Sequence, residues 1–164
     1  MTLPAMRLRI SLAQQTLELF DQTGVLIRRY PVSTAARGGG EQQGSQQTPR
    51  GCHIVRACIG ADQPENAVFV GRRPTGEIYT PDLAQAHPDR DWILTRILWL
   101  SGCEPGRNRL GCVDSMRRYI YIHGTPDTEP MGVPGSHGCV RMRNRDILEL
   151  FPLVRPFTPV EVID

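Results

Sequence analysis

A chain of 164 residues with 40% hydrophobic side chains carries enough apolar material to close one core, so a single domain spanning residues 1–164 is expected. Charged residues make up 22% and the formal net charge is only +2, which lacks the concentrated positive charge of a nucleic-acid binder. All 19 basic residues are arginine, and the absence of lysine excludes lysine nucleophiles and Schiff-base chemistry.

MTLPAMRLRI has no charged stretch followed by an apolar one, and no run of 18 apolar residues occurs, so neither a targeting segment nor a transmembrane segment is expected. Met6, Leu8, Ile10 and Leu12 alternate with Arg7, Arg9 and Ser11; with Leu17, Leu19 and Phe20 they predict a half-buried strand pair. Asp21-Gln22-Thr23-Gly24 carries turn chemistry into Val25–Val32, giving consecutive antiparallel strands. GGGEQQGSQQ, at 38–47, is polar and glycine-rich and is expected to be a mobile loop. Thr48-Pro49-Arg50-Gly51 reads as a turn before a strand over Cys52–Cys58.

From Gly60 to His87, Pro64, Pro74, Gly76 and Pro81 punctuate a long loop in which only Ala67–Val70 and Ile78–Tyr79 look extended. Such loops serve as lids or binding elements, with an unconstrained surface excursion as the alternative. Trp92–Leu100 is a dense apolar run, expected to be a buried strand or short helix with both tryptophans in the core. Over Arg117–Ile122, Tyr119 and Tyr121 alternate with Ile120 and Ile122, which is strand chemistry leading into His123-Gly124. Asn144 is placed to cap a short helix with Ile147, Leu148 and Phe151 on one face and Asp146 near its positive end. Val160–Ile163 alternates as a closing strand, so the chain reads as a mostly-β domain with one clear helix.

The pairs Arg28-Arg29, Arg72-Arg73 and Arg117-Arg118 could bind acidic groups, but they are read as solvated surface and given no function. The five cysteines (Cys52, Cys58, Cys103, Cys112 and Cys139) are an odd number, so at least one stays free or pairs outside the chain. Cys103 and Cys112 flank a Gly/Pro-rich loop and are candidates for a disulfide, with a reduced pair as the alternative.

The densest reactive cluster is His123-Gly124 followed by Ser136-His137-Gly138-Cys139. A cysteine becomes a competent nucleophile when an imidazole lies within hydrogen-bond reach. Gly138 removes a side chain where a substrate carbonyl must approach and leaves backbone N–H groups free to face an oxyanion. His123 and His137 compete for the role of base, and spacing alone does not choose between them. A zinc site built from His123, His137, Cys139 and a second cysteine is the rival from a different class; it lacks the close CxxC pairs that structural zinc sites use. No metal and no other cofactor is expected.

YIHGTPDTEPMGVPGSHGCVRM resembles the signature of the L,D-transpeptidase catalytic domain family, the YkuD type: a histidine, a spacer, then Ser/Thr-His-Gly-Cys. SLAQQTLELFDQTGVLIRRYPVST, TPRG and TRILWLSGCEPG extend the resemblance over most of the chain. It implies a mostly-β fold of sandwich or barrel-like sheets with one or two short helices. It also implies Cys139 as nucleophile, His123 as proton acceptor and donor, and the Gly124 carbonyl as the group orienting the imidazole. His137 becomes a supporting residue, Ser136 and Gly138 shape the loop, and N–H groups around Gly138 and Cys139 form the oxyanion hole. Arg141 binds a carboxylate or braces the loop.

Two departures stand out. The family often has asparagine where this chain has Arg141 or Met142, and Phe157 replaces the glycine of a GTPV turn.

The implied reaction is attack on a peptidoglycan stem peptide before its fourth-position D-alanine, giving a thioester that passes to an amine. The acceptor stays open among a neighbouring stem, a lipoprotein lysine and water, the last making the protein an L,D-carboxypeptidase. A monomer in the periplasm or cell envelope, open to carbapenems, is the accompanying expectation. An inactive wall-binding module is the remaining rival, and the intact motif argues against it.

Overall fold

In the computed structural model, which describes residues 5–164, the opening alternation folds into β1 (Arg7–Ser11) and β2 (Thr16–Phe20), and β3 (Leu26–Pro31) follows. The Asp21 carboxylate accepts from the N–H groups of Thr23 at 2.8 Å and Val25 at 3.0 Å, an Asx turn that reverses the chain between β2 and β3. Leu8, Ile10, Leu17 and Leu19 are wholly buried, as their period of two requires. Arg9 and Arg29, on the flanking strands, both grip the buried carboxylate of Glu18 and hold it below its usual range, Arg29 contributing most.

β4 (Gly51–Ile59) is followed by the hairpin β5 (Ala67–Val70) and β6 (Arg73–Ile78), the one-and-a-half-turn helix α1 (Pro81–Ala86) and the long strand β7 (Ile93–Gly102). β8 (Tyr121–Thr125), β9 (Val140–Arg143), α2 (Asn144–Leu150) and β10 (Pro159–Ile163) complete the chain. The strands form one curled sheet in the order β3-β2-β1-β10-β4-β7-β5-β6; β8 branches from β7, and β9 lies parallel to β8. β10 runs parallel to β1, so the last strand lies against the first. The fold is mostly β with two short helices, as the resemblance implies.

β7 divides the interior. Leu98 and Leu100 join the main core with Leu8, Ile10, Ile122, Met142 and Ile147. Ile97 joins a smaller cluster with Ala67, Phe69 and Tyr121, against which Trp99 and Cys139 pack. The hairpin β5–β6 therefore stands on the same side of the sheet as the thiol.

Several local expectations are corrected. The 38–47 segment is tied down rather than free: the Gly40 N–H donates to the Thr48 carbonyl, the Thr48 N–H to the Gly38 carbonyl and the Gln43 N–H to the Cys112 carbonyl, and Arg118 donates to the carbonyls of Gly40, Glu41 and Gln47. The 60–87 loop contains all of β6 and α1; Thr80 caps α1 by accepting from the Leu83 N–H at 3.1 Å.

Trp92 and Trp99 are half-buried: Trp99 packs on the smaller cluster with Arg72 over its ring, and Arg90 lies over the Trp92 ring. Residues 117–120 are a turn with Tyr119 at φ 57°, and the strand begins at Tyr121. Arg143, not Asn144, is the N-cap of α2; its buried apolar residues are Ile147 and Leu150, Leu148 is only half-buried, and Phe151, just past the helix end, packs on the main core as expected. All five cysteines are unpaired; Cys103 donates its N–H to the Cys52 carbonyl, on the neighbouring strand, at 2.9 Å and makes no bond to Cys112.

Phe157 adopts a left-handed backbone, the conformation that favours glycine. It sits at φ 74°, the residue is 69% exposed, and its N–H donates to the Val55 carbonyl at 2.8 Å. A left-handed conformation costs a residue with a Cβ about 1–2 kcal/mol, and glycine's larger unfolded-state entropy returns about 0.5–1 kcal/mol of that. Phe157→Gly is expected to raise stability by about 0.5–1 kcal/mol in urea unfolding; a lower midpoint would mean that the ring packs usefully.

Candidate active site

β8 carries His123 between β7 and β9, in register with Ile97 on one side and Arg141 on the other. The side chain is 1% exposed. Its Nδ1 meets the Gly124 carbonyl at 2.6 Å. A carbonyl only accepts, so Nδ1 carries the proton and Nε2 keeps its lone pair. Burial pushes the pKa of His123 down, against the pull of the Gly124 carbonyl. Gly124 cannot be larger, because a Cβ there would lie 2.6 Å from the Leu94 carbonyl oxygen.

Thr95, at a bulge in β7, adopts φ 75°, a rare conformation for a β-branched residue. Its hydroxyl donates to Asn144 Oδ1 at 2.6 Å and accepts from the Asn66 N–H at 3.0 Å. Asn144 is thus spent on bracing the strand behind His123 and Gly124, which explains why it does not cap its helix.

Cys139 ends the loop that enters β9. Its sulfur accepts from the Tyr121 N–H at 3.3 Å and its S–H donates to the Tyr119 carbonyl at 3.4 Å. Burial pushes the thiol up to about 12; the Tyr121 N–H pulls it down, Asp91 raises it, and Arg141 and Arg118 lower it. The resting pair is therefore a neutral thiol and a neutral imidazole.

Ser136, Gly138 and Thr48 shape the nucleophile loop. The Ser136 hydroxyl donates to the Cys139 carbonyl and accepts from the Gly138 N–H, and the Thr48 hydroxyl donates to the Gly138 carbonyl at 2.9 Å. Gly138 adopts φ 135°, open only to glycine at low cost. The two N–H groups expected to face an oxyanion are differently engaged. The Gly138 N–H is already taken by Ser136, whereas among the described residues nothing accepts from the Cys139 N–H.

One cavity of about 500 Å³ gathers His123, Ser136, His137, Cys139 and Arg141. His137 is exposed at its rim. Arg141 is engaged internally, donating to the Gly135 carbonyl at 3.2 Å and pairing with Asp91 at 3.4 Å and Glu129 at 3.8 Å. Among the described residues no three His, Cys, Asp or Glu side chains group as metal ligands.

Three charged cavity residues, Arg72, Asp91 and Arg118, are not singled out from the sequence as part of the site. Arg72 and Arg118 both line it, although their neighbours Arg73 and Arg117 are exposed as expected of solvated pairs. The available signals were a bulky residue at a tight hairpin turn and the Tyr-Ile-Tyr run beside Arg118.

His53 is a second buried imidazole, held between the Gly51 carbonyl at 3.0 Å and the Ser115 hydroxyl at 2.8 Å. Burial lowers its pKa, as it does that of His123. Both groups bind protons more weakly folded than unfolded, so the unfolded chain protonates first as pH falls below about 6.5. Stability is expected to be full above that pH and to decline between pH 6.5 and 5, before carboxylates titrate. Urea unfolding at pH 7 and pH 5 checks this, and His53→Gln should flatten the slope.

A family model of the L,D-transpeptidase catalytic domain, YkuD, matches residues 5–162. "Probable L,D-transpeptidase YbiS" of Escherichia coli is 34% identical over 108 residues, which are 65% of this chain and 35% of that protein. The chain thus matches about a third of the length of that relative. L,D-transpeptidase 3 of Mycobacterium tuberculosis, solved in complex with a faropenem-derived adduct, superposes with a TM-score of 0.60 at 18% identity, covering 98% of this chain and 61% of that one. Bd1075 of Bdellovibrio bacteriovorus gives a TM-score of 0.61 at 16% identity over 99% of this chain and 49% of that one. These two likenesses speak for the fold, and the family match extends along nearly the whole sequence, from the first strand to the last: the chain belongs to the YkuD family of L,D-transpeptidase catalytic domains.

Proposed function

We propose that this protein is a peptidoglycan L,D-transpeptidase in which Cys139 is the nucleophile and His123 the general base and acid. The observation that carries the reading is the imidazole fixed by the Gly124 carbonyl, with Nε2 unprotonated, in the same cavity as the Cys139 thiol. His137, exposed and without a hydrogen bond among the described residues, offers no comparable fixation.

In the first half, Nε2 of His123 takes the thiol proton as sulfur bonds to the carbonyl carbon of the third stem residue. The oxyanion faces the open Cys139 N–H, and the nearby charges of Arg118 and Arg141 favour the developing negative charge. The C–N bond then breaks, His123 protonates the departing amine of D-alanine, and a thioester remains. In the second half an amine attacks the thioester, loses its proton to His123, and the thiol is restored. A neutral resting pair fits this sequence, since the proton moves only as the carbonyl arrives. Arg141, Ser136, Gly138 and His137 support the loop. The substrate places the activity in the cell envelope.

Mass spectrometry during incubation with a tetrapeptide stem tests the reading. D-alanine release with an acyl adduct on Cys139, and a new amide when an amine acceptor is added, is the expected result. Products of water alone would make the protein an L,D-carboxypeptidase. One tightly held zinc per chain would contradict Cys139 as a free nucleophile. A carbapenem adduct on Cys139 is the matching inhibitor result, by analogy with the faropenem-derived adduct of the mycobacterial enzyme.

A further inference from the structure

We infer that Arg72 forms an anion subsite for a carboxylate of the donor peptide, carried on a residue flanking the scissile bond. This rests on the peptide reading proposed above.

β5 and β6 are joined by the two-residue turn Gly71-Arg72, with φ 56° and 65°. Hairpin turns with both central residues left-handed favour asparagine and glycine, so an arginine at the second position works against local preference. Its side chain is held from three directions. The guanidinium carbon lies 4.7 Å from the Trp99 ring centroid and 4.9 Å from that of Tyr119, and NH1 donates to the Tyr121 phenol oxygen at 2.9 Å. Two aromatic faces and one hydroxyl orient the planar fork at the cavity wall before any ligand arrives, which lowers the entropy lost on binding.

The fork is otherwise open. One of its five N–H donors is engaged, and among the described residues no carboxylate pairs with it. The other two cavity arginines differ. Arg141 is paired with Asp91 and Glu129, and Arg118 donates to three carbonyls and the Ser45 hydroxyl of the 38–47 loop. Among the described residues Asp91 is the one acid lining a cavity with three guanidinium groups, so the cavity is short of negative charge and Arg72 is the group able to receive it.

Tyr121 sets the distance. Its backbone N–H touches the Cys139 sulfur at 3.3 Å and its phenol oxygen touches Arg72, so the guanidinium lies one tyrosine length from the reacting atom. Two carboxylates of a stem tetrapeptide fall within that reach. One is the terminal carboxylate of the departing D-residue; the other is the distal carboxylate of a dicarboxylic diamino acid at the third position.

Calorimetric titration of the Cys139→Ala protein separates them, using the tetrapeptide, its C-terminal carboxamide and its distal carboxamide, each with Arg72 and with Arg72→Met. Arg72→Met is expected to weaken the parent peptide about tenfold. One carboxamide should lose the same factor with Arg72 present and nothing further in Arg72→Met, and that carboxamide names the carboxylate. Equal affinity for all three peptides overturns the subsite, as does the same carboxamide penalty in both backgrounds. A merely structural Arg72 would weaken all three peptides alike, and Arg72→Lys, which keeps the charge without the fork, should recover part of the affinity for the parent alone. Wild-type turnover is followed in parallel: turnover with carboxamide-insensitive binding sinks the subsite and spares the transpeptidase reading, whereas no binding and no turnover sinks both.

Discussion

Cys139→Ala is expected to bring D-alanine release from a tetrapeptide stem below detection, a loss of at least about 10⁴-fold, with the fold intact. The chemical argument is that every later step passes through a bond to this sulfur, so no other group can compensate by binding alone. The structural argument is that the sulfur contributes little to the fold. It packs at the edge of the smaller cluster and makes two long hydrogen bonds, to the Tyr121 N–H and the Tyr119 carbonyl. Tyr119 and Tyr121 line the cavity, and the loss of two long hydrogen bonds to one sulfur should move urea unfolding by no more than about 1–2 kcal/mol. Cys139→Ser should be nearly as inactive, because a hydroxyl has a far higher pKa and His123 would have to remove a much less acidic proton. D-alanine release by the alanine variant at a rate near that of the parent would place the nucleophile elsewhere and remove the central claim.

Much of this architecture is legible in the sequence because it is set by local alternation. Leu8, Ile10, Leu17 and Leu19 mark their strands by period alone, and the same holds for Val160 and Val162. The Gly138-Cys139 turn is legible too, since only glycine accepts its backbone and the thiol follows directly.

What is not legible depends on partners distant in the chain. β6, RPTGEI, is almost wholly exposed and carries no alternation, so only its pairing with β5 makes it a strand. Asn144 looks like a helix cap by type and place, yet Thr95, 49 residues away, claims its oxygen. Arg118 resembles a solvated charge until the glycine-rich loop folds over it and supplies carbonyl acceptors, which also explains why that polar loop is held. The resemblance named Cys139 and His123, while the arginines that set the charge of their cavity came only with the folded chain.

The choice between the two histidines carries the second large expected effect. His123→Ala should lower the acylation rate by roughly 10²–10⁴-fold, the usual contribution of a positioned general base. His137→Ala should cost less than about tenfold. The difference follows from fixation, since both residues line the cavity. His123 is buried in β8, its tautomer set by the Gly124 carbonyl, and its pKa is depressed by burial so that it stays an unprotonated base through neutral pH. His137 is exposed in a glycine-flanked loop, where its ring must be ordered at each encounter. Single-turnover rates of the two variants with the tetrapeptide, read as acyl adduct against time, give the ratio without interference from the acceptor step. The pH profile adds a second readout: the parent's acid limb should lie below pH 6.5, the ordinary histidine value, and should vanish in His123→Ala while persisting in His137→Ala. If His137→Ala loses more than His123→Ala, the base has been misassigned; the buried imidazole would then be a structural element of β8, and proton transfer would pass through the rim of the cavity.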